Sequence, residues 1–223
     1  MRGVSVIIPA LDAACCLQMC LDAVAGVEAV IVADGGSLDA TIEVARAFGA
    51  SVVSAPRGRG PQLCAGVAAA SSEWLLFLHA DTVLEPSWRG DVEAFIGDAG
   101  NARRAAVFRF ALDDPSVQAR RLEQMVAWRG RALGLPYGDQ GLLISRALYH
   151  ELGGYAPLVL MEDVDIVRRI GRARLTVLPS RAVTSAAKWQ RDGWMARSAR
   201  NLTCLGLYYA GVPPRFIQRV YGA

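Results

Sequence analysis

Across the first hundred residues, short runs of β-branched and aliphatic residues alternate with longer segments of helical period. This pattern predicts a mostly parallel central sheet flanked by helices, an α/β fold. Val4 to Ile8, Ala29 to Val32, Ser51 to Ser54 and Trp74 to Leu78 read as strands, with helices at Ala14 to Ala25, Asp39 to Phe48 and about Gln62 to Ala70. The second half is more mixed. Strands are expected at Ala105 to Phe110 and Leu142 to Ser145, a long arginine-bearing helix over Ser116 to Ala132, and a further helix over Asp163 to Arg172. A last helix runs from Gly193 to Tyr209, with Pro213 and Pro214 beyond it as stop signals. No internal repeat, low-complexity tract or Gly/Ser linker divides the chain, so one unit is expected over 1–223, with a front half of about 1–110 and a back half of about 111–223.

Composition narrows the class. At 223 residues and 53% hydrophobic content the chain can bury one sizeable core. Of its 24 basic residues only Lys188 is a lysine, and the arginines that carry the net charge of +3 are scattered rather than gathered. A nucleic-acid partner calls for a basic stripe with interleaved aromatics, which is missing here. The apolar run Val4 to Pro9 is too short for a secretory signal, and the uncharged stretch Asn201 to Pro214 falls short of the roughly 20 apolar residues of a membrane span. The expectation is a cytoplasmic protein without a transmembrane segment. The apolar stretch Leu202 to Tyr209 suits a core helix, with a peripheral membrane contact or a dimer mate as alternatives. Five cysteines in no paired framework point to free, mostly buried thiols.

Three segments carry candidate chemistry, and each falls at a strand end or a helix start. In open α/β sheets ligands collect outside the carboxyl ends of the strands, which puts Pro9, Asp34 and Asp81 where a nucleotide should sit. In Asp34-Gly35-Gly36-Ser37-Leu38-Asp39 the glycines let backbone N–H groups approach a ligand, and the Asp34 carboxylate can accept hydrogen bonds from a base or ribose. Ser37 or Asp39 serves equally well as a helix N-cap. In His79-Ala80-Asp81, Asp81 supplies a hard oxygen ligand for Mn²⁺ or Mg²⁺. His79, two residues away on the same side of an extended chain, either adds a nitrogen ligand or orients its neighbours by hydrogen bonding. The third segment, Met161-Glu162-Asp163-Val164-Asp165, has three acids in four positions. That exceeds what a helix start requires, and one of them can take a proton from an attacking hydroxyl.

The ordered set Val4-Ser5-Val6-Ile7-Ile8-Pro9-Ala10-Leu11, Asp34 to Thr41, Phe77 to Asp81 and Glu162-Asp163 resembles the family 2 glycosyltransferases over nearly the whole chain. A short bacterial branch, described as radical-SAM or selenodomain-associated, is the nearer likeness. It shares His79-Ala80-Asp81-Thr82, Tyr137-Gly138-Asp139-Gln140 and Glu162-Asp163-Val164-Asp165.

The resemblance implies a GT-A fold, a nucleotide-sugar donor (a UDP-sugar favoured, a GDP-sugar as alternative), an acceptor it does not identify, and inversion at the anomeric carbon. By matching position, Pro9, Leu11 and Asp34 line the nucleoside pocket, and Asp81 is the last acid of the metal motif. Asp163 is the general base, with Glu162 orienting the acceptor or the base. Arg57 or Arg59 suits the donor diphosphate, and Asp139, Gln140 and Trp189 the acceptor side. His79 and Gly35 stand where many relatives carry acids. These departures leave a non-catalytic nucleotide-sugar-binding module as the competing reading.

Overall fold

The computed structural model describes residues 1–133 and 135–222. Gly134 and Ala223, both within the unit expected over 1–223, lie outside the described residues. The front half follows the expected alternation: β1 (Val4–Ala10), α1 (Ala14–Ala23), β2 (Ala29–Asp34), α2 (Thr41–Phe48), β3 (Ser51–Ser54), α3 (Arg59–Ala69) and β4 (Trp74–Phe77). It continues through β5 (Thr82–Leu84), α4 (Trp88–Gly97), β6 (Ala105–Leu112), α5 (Val117–Leu133), β7 (Leu142–Ser145) and α6 (Arg146–Glu151). The chain then forms α7 (Glu162–Ile170), β8 (Leu175–Thr184), α8 (Ala187–Asp192), α9 (Trp194–Tyr209) and α10 (Pro214–Tyr221).

One eight-stranded sheet runs in the order β3-β2-β1-β4-β7-β6-β8-β5. The pairs β1–β2, β2–β3, β1–β4 and β6–β8 are parallel, and β4–β7, β6–β7 and β5–β8 antiparallel. Both faces are covered. Period-2 alternation sends Val6, Ile8, Val32 and Leu76 to the side packed by α1 and α4, and Ile7, Ile31, Leu75 and Phe77 to the side packed by α3, α6 and α7. Because both faces are buried, these strands read as continuous apolar runs.

The periodicity does not announce β5 and α4 in the front half, nor α6, β8, α8 and α10 in the back half. β8 contains Pro179 and pairs with β6 across a register shift between Val107 and Arg109, an irregularity where a strand tolerates proline. Pro213 and Pro214 do follow α9 as stop signals, but they also open α10, with proline at its first helical positions. Cys204 of α9 and Ile217 of α10 are fully buried with Leu160, Met161 and Val164, so the C-terminal helices pack on the start of α7. The stretch Leu202 to Tyr209 is thus a core-docked helix that leaves Leu202 and Tyr209 exposed. Among the described residues no helix is long and apolar enough to cross a membrane. All five cysteines are free, with Cys20 and Cys204 buried and Cys15 exposed.

Candidate active site

At the carboxyl ends of β1 and β2 the chain builds a polar lip from its own backbone. β2 ends on Asp34, whose buried carboxylate accepts the amides of Gly36 (2.9 Å) and Ser37 (3.2 Å), closing the glycine turn on itself. Ala40 holds the N-cap position of α2 and Ser37 does not cap it, but Asp39 Oδ1 accepts the amide of Thr41, the first residue of that helix (2.9 Å). Ser37 Oγ accepts the Asp12 amide (2.9 Å) and Asp39 the Ala14 amide (3.0 Å), so both tie the loop to the start of α1.

A residue without a sequence signal holds this lip together. Gln62, buried on α3, donates through Nε2 to the carbonyls of Ala10 (2.6 Å) and Ala33 (2.8 Å), joining the ends of β1 and β2. A Cβ on residue 35 would stand 3.0 Å from that same nitrogen, a physical reason for glycine at a position where an acid is otherwise expected. Pro9 is buried at the end of β1 and Leu11 half-buried beyond it.

β1 has β2 on one side and β4 on the other, and the chain order reverses between β1 and β4, the switch point where open α/β sheets bind ligands. β4 stops at Phe77, and His79 lies in a turn in which its carbonyl accepts the Thr82 amide (3.1 Å). His79 and Asp81 therefore do not share the extended geometry that their spacing suggests. Asp81 Oδ2 lies 3.1 Å from Lys188 Nζ of α8. Burial raises the Asp81 carboxyl, but Lys188 and His79 outweigh it and the net direction is downward. Burial and the nearby Arg59 push His79 down to about 4, so its imidazole is neutral near pH 7.

The third wall comes from the 137–140 turn and α7. Met161, which precedes Glu162, adopts a left-handed φ of 68°, a conformation that L-residues avoid unless their surroundings impose it. Asp163 Oδ2 then accepts the Gly138 amide (2.9 Å), locking α7 to the turn. Gly138 is required by close approach: a Cβ there would lie 2.6 Å from His79 Nε2 and 3.3 Å from Asp163 Oδ2. The histidine of one motif and the acid of another thus converge on a single glycine of the third.

Glu162 is buried, with Oε1 3.6 Å from Arg59 Nη1 and Oε2 without a partner among the described residues. Burial lifts its carboxyl to about 7 against the pull of Arg59. Arg59 is carried to Glu162 by the first turn of α3, where the Gly60 amide donates to Leu158 O (3.0 Å). Asp139 is lifted by burial to about 6, against Arg129, and its Oδ1 is likewise buried without a partner.

Arg59, His79, Asp81, Asp139, Asp163 and Trp189 all line one cavity of about 450 Å³. The other candidates, Glu162 behind Arg59 among them, are not part of its lining. Pro9, Leu11 and Asp34 form the neighbouring lip, and Arg57 is exposed. Gln140 does not reach the cavity either, because its amide donates to Phe108 O (2.9 Å) and ties the turn to β6. Trp189 belongs to α8 and packs with Phe110, Leu112 and Val126, serving core and cavity wall at once. Lys188 and Gln62 are the site-forming residues that sequence reasoning passed over. Lys188 carried one usable signal, that of being the chain's single lysine.

Known proteins share both the sequence pattern and the fold. The chain is 36% identical over 106 residues to the PGL/p-HBAD biosynthesis glycosyltransferase of Mycobacterium bovis (strain BCG / Pasteur 1173P2) and to that of Mycobacterium tuberculosis (strain ATCC 25177 / H37Ra). Each match covers 42% of this chain and 41% of the relative, so the chain aligns with less than half the length of these curated relatives. Glucosyl-3-phosphoglycerate synthase from Mycobacterium tuberculosis, in its complex with Mn²⁺ and UDP-glucose, superposes with a TM-score of 0.64 at 21% identity, over 95% of this chain and 80% of that one. Its complex with Mg²⁺ and UDP superposes with a TM-score of 0.59 at 24% identity, over 82% and 70%. The shared architecture is the GT-A fold. Residues 5–146 match the family described as Glycosyl transferase family 2, and with that match spanning more than half of its length, the chain belongs to glycosyltransferase family 2.

Proposed function

We propose that this protein transfers a glycosyl group from a nucleotide-diphosphate sugar, a UDP-sugar in the first instance, to an acceptor hydroxyl with inversion. The observation that carries the reading is the convergence of His79, Asp81, Asp139 and Asp163 on one cavity at the sheet's switch point, with Arg59 and Lys188 beside them. The nucleoside lies over the ends of β1 and β2 against Pro9, Leu11 and Asp34, and the diphosphate lies towards Asp81, with Arg59 as its cationic partner. The whole of 1–223 acts as one domain in the cytoplasm. The His79–Thr82, Tyr137–Gln140 and Glu162–Asp165 segments support membership of the short radical-SAM or selenodomain-associated branch.

Asp81 and neutral His79 suit a divalent ion that keeps waters and takes its remaining ligands from substrate phosphates. Among the described residues no group of three His, Cys, Asp or Glu side chains is arranged to hold a metal, so such an ion would take its other ligands from water and substrate phosphates. Such an ion would neutralise the charge that develops on the diphosphate.

The chain's own residues supply the rest. The acceptor oxygen attacks the anomeric carbon as the bond from that carbon to the diphosphate oxygen breaks, and the nucleoside diphosphate leaves with the bonding pair. Asp163 takes the acceptor's proton on Oδ2, the oxygen positioned by the Gly138 amide. Glu162 orients this pair through Arg59, and burial of the site keeps water from competing.

A thermal-shift screen of nucleotide sugars with Mn²⁺ tests the reading, since a ligand that binds only the folded state stabilises it. A UDP-sugar should raise Tm most. Asp163→Asn should abolish transfer and spare donor binding, whereas Asp81→Ala should weaken donor binding. No stabilisation by any donor sinks the proposal. Stabilisation without turnover across many acceptors would instead favour a non-catalytic binding module.

A further inference from the structure

The cavity that holds the acids continues well beyond them, and its outer part has a different chemistry. Leu122, Met125 and Trp128 of α5 face Leu202 and Leu205 of α9, with Val164 of α7 below, and together they form an apolar cleft that opens from the carboxylates to the surface. Met125, Trp128 and Leu202 are 54%, 63% and 58% exposed, so large apolar side chains stand uncovered at its mouth. Exposed apolar surface gathered on a cavity rim marks a binding site. A volume of about 450 Å³ is in the range of small-molecule pockets.

The charges along this cavity are already answered from within the chain. Arg129 donates from Nε to Leu135 O (3.0 Å) and stacks 3.9 Å over the Tyr137 ring. Arg197 is held by Asp192 (3.3 Å), Lys188 by Asp81 (3.1 Å) and Arg59 by Glu162 (3.6 Å). Asp139 and Asp163 add two further carboxylates to the lining, and Asp192 is shared by Arg197 with Arg191 and Arg200. Each of these cations already has a partner within the chain, so an anionic acceptor would have to compete with that partner.

Polar atoms of the lining are nevertheless left over. Asp139 Oδ1 and Asn201 Oδ1 are buried acceptors without a donor among the described residues, and Trp189 Nε1 and Arg197 Nε are buried donors without an acceptor. Buried polar atoms in this state call for a partner. A hydroxyl both donates and accepts, so it can serve either kind.

We infer that the acceptor is an uncharged alcohol or phenol carried on an apolar aliphatic or aryl body, with the body in the α5/α9 cleft and the hydroxyl at Asp163. The inference deepens the transferase reading and rests on it. The apolar body is recognised by burial, and the hydroxyl is the group whose oxygen forms the new glycosidic bond.

The test is a calorimetric titration of the full chain with 4-hexylphenol, and with glycerol 3-phosphate as the anionic comparison, without nucleotide sugar. Hexylphenol should bind and glycerol 3-phosphate should not. Met125→Glu and Leu202→Glu place a carboxylate at exposed positions on the rim, where the fold tolerates it. Each should weaken hexylphenol at least about tenfold, because an apolar body would then lie against a charge. Donor stabilisation by nucleotide sugar should stay unchanged in both variants. Tighter binding of glycerol 3-phosphate than of hexylphenol, or hexylphenol affinity unmoved in both variants, overturns the inference. Because no donor is present, this result is independent of the nucleotide-sugar screen. A protein that binds hexylphenol in this rim-dependent way but no nucleotide sugar would retain the cleft and lose the transferase reading.

Discussion

Lys188 Nζ lies 3.1 Å from Asp81 Oδ2 across 107 residues of chain, so the carboxylate proposed to hold a divalent ion already carries a protein cation. The lysine side chain is half exposed and the aspartate less so, which makes the pair a competitor of modest strength rather than a fixed salt bridge. Partly exposed pairs of this kind contribute about 0.2–1 kcal/mol. Removing the lysine charge with Lys188→Met should therefore tighten Mn²⁺ binding to the donor-free protein by about two- to fivefold. Calorimetric titration with MnCl₂ checks this, and equal or weaker binding in the variant would show that the two cations do not share the carboxylate.

Gly138 gives a sharper handle on the site. A methyl group there would meet His79 Nε2 at 2.6 Å and Asp163 Oδ2 at 3.3 Å, so Gly138→Ala must displace the imidazole or the carboxylate. Forced repacking of this kind costs about 1–3 kcal/mol. Displacement of a reacting group by about 1 Å costs roughly a hundredfold in rate. Turnover should fall far more than stability does. Gly130→Ala in α5, where an added Cβ meets nothing within 4 Å, should instead stabilise the protein by about 0.5–1 kcal/mol. Parallel kinetics and denaturant unfolding separate the two effects, and equal losses of activity in both variants would rule out a local role for Gly138.

The contrast between these two relationships indicates what the sequence made legible. The strands β1, β2, β4 and β7 were readable because burial writes them as apolar runs bounded by polar loops, and the edge strand β3 by its β-branched Val52-Val53 pair. The positions of Asp34 at the end of β2, Asp81 after β4 and Asp163 at the start of α7 were readable because strand ends and helix starts leave local signals in an α/β sheet. β8 was not, since Ser180 and Thr184 occupy buried positions and erase the apolar alternation, Pro179 interrupts it, and its partner β6 lies some 70 residues upstream. The Lys188–Asp81 pair and the Gln62 bridge have no local pattern at all, because each joins residues brought together only by the tertiary fold. Gln140 shows the opposite failure: it sits in a motif with site chemistry, yet its amide ties the turn to Phe108.

The Gln62 bridge can be examined through its relation to Gly35. Gln62→Ala leaves the Ala33 carbonyl without the side-chain donor it has here, a buried loss of about 1–3 kcal/mol. Gly35→Ala brings a methyl to 3.0 Å from the amide nitrogen and should also destabilise. With Gln62 shortened the clash is gone, so the double variant should be less destabilised than the sum of the singles by about 0.5–3 kcal/mol. Urea unfolding of the four proteins measures the coupling, and strict additivity would show that glycine at 35 answers to something other than Gln62.

Asp139 and Glu162 make stability depend on pH in a direction opposite to that of most acids. Burial raises Asp139 from its ordinary 3.8 to about 6, and Glu162 from 4.5 to about 7. Between about pH 4 and 7 the folded protein therefore holds protons that the unfolded chain has released, and stability falls as pH rises through that window. The contribution is full below the unfolded values and gone above the folded ones. Asp139→Asn and Glu162→Gln keep the shape and remove the titration, so Tm followed from about pH 4.5 to 7.5 should decline less in each variant than in the parent. The difference between parent and variant matters, because acids held below their ordinary values, such as Asp81, act in the opposite sense at lower pH. The same titrations should appear in turnover: an acid limb near pH 6 that shifts or disappears in Asp139→Asn would show that the carboxylate must be charged during transfer. An unchanged limb in both variants would place the controlling proton elsewhere in the site.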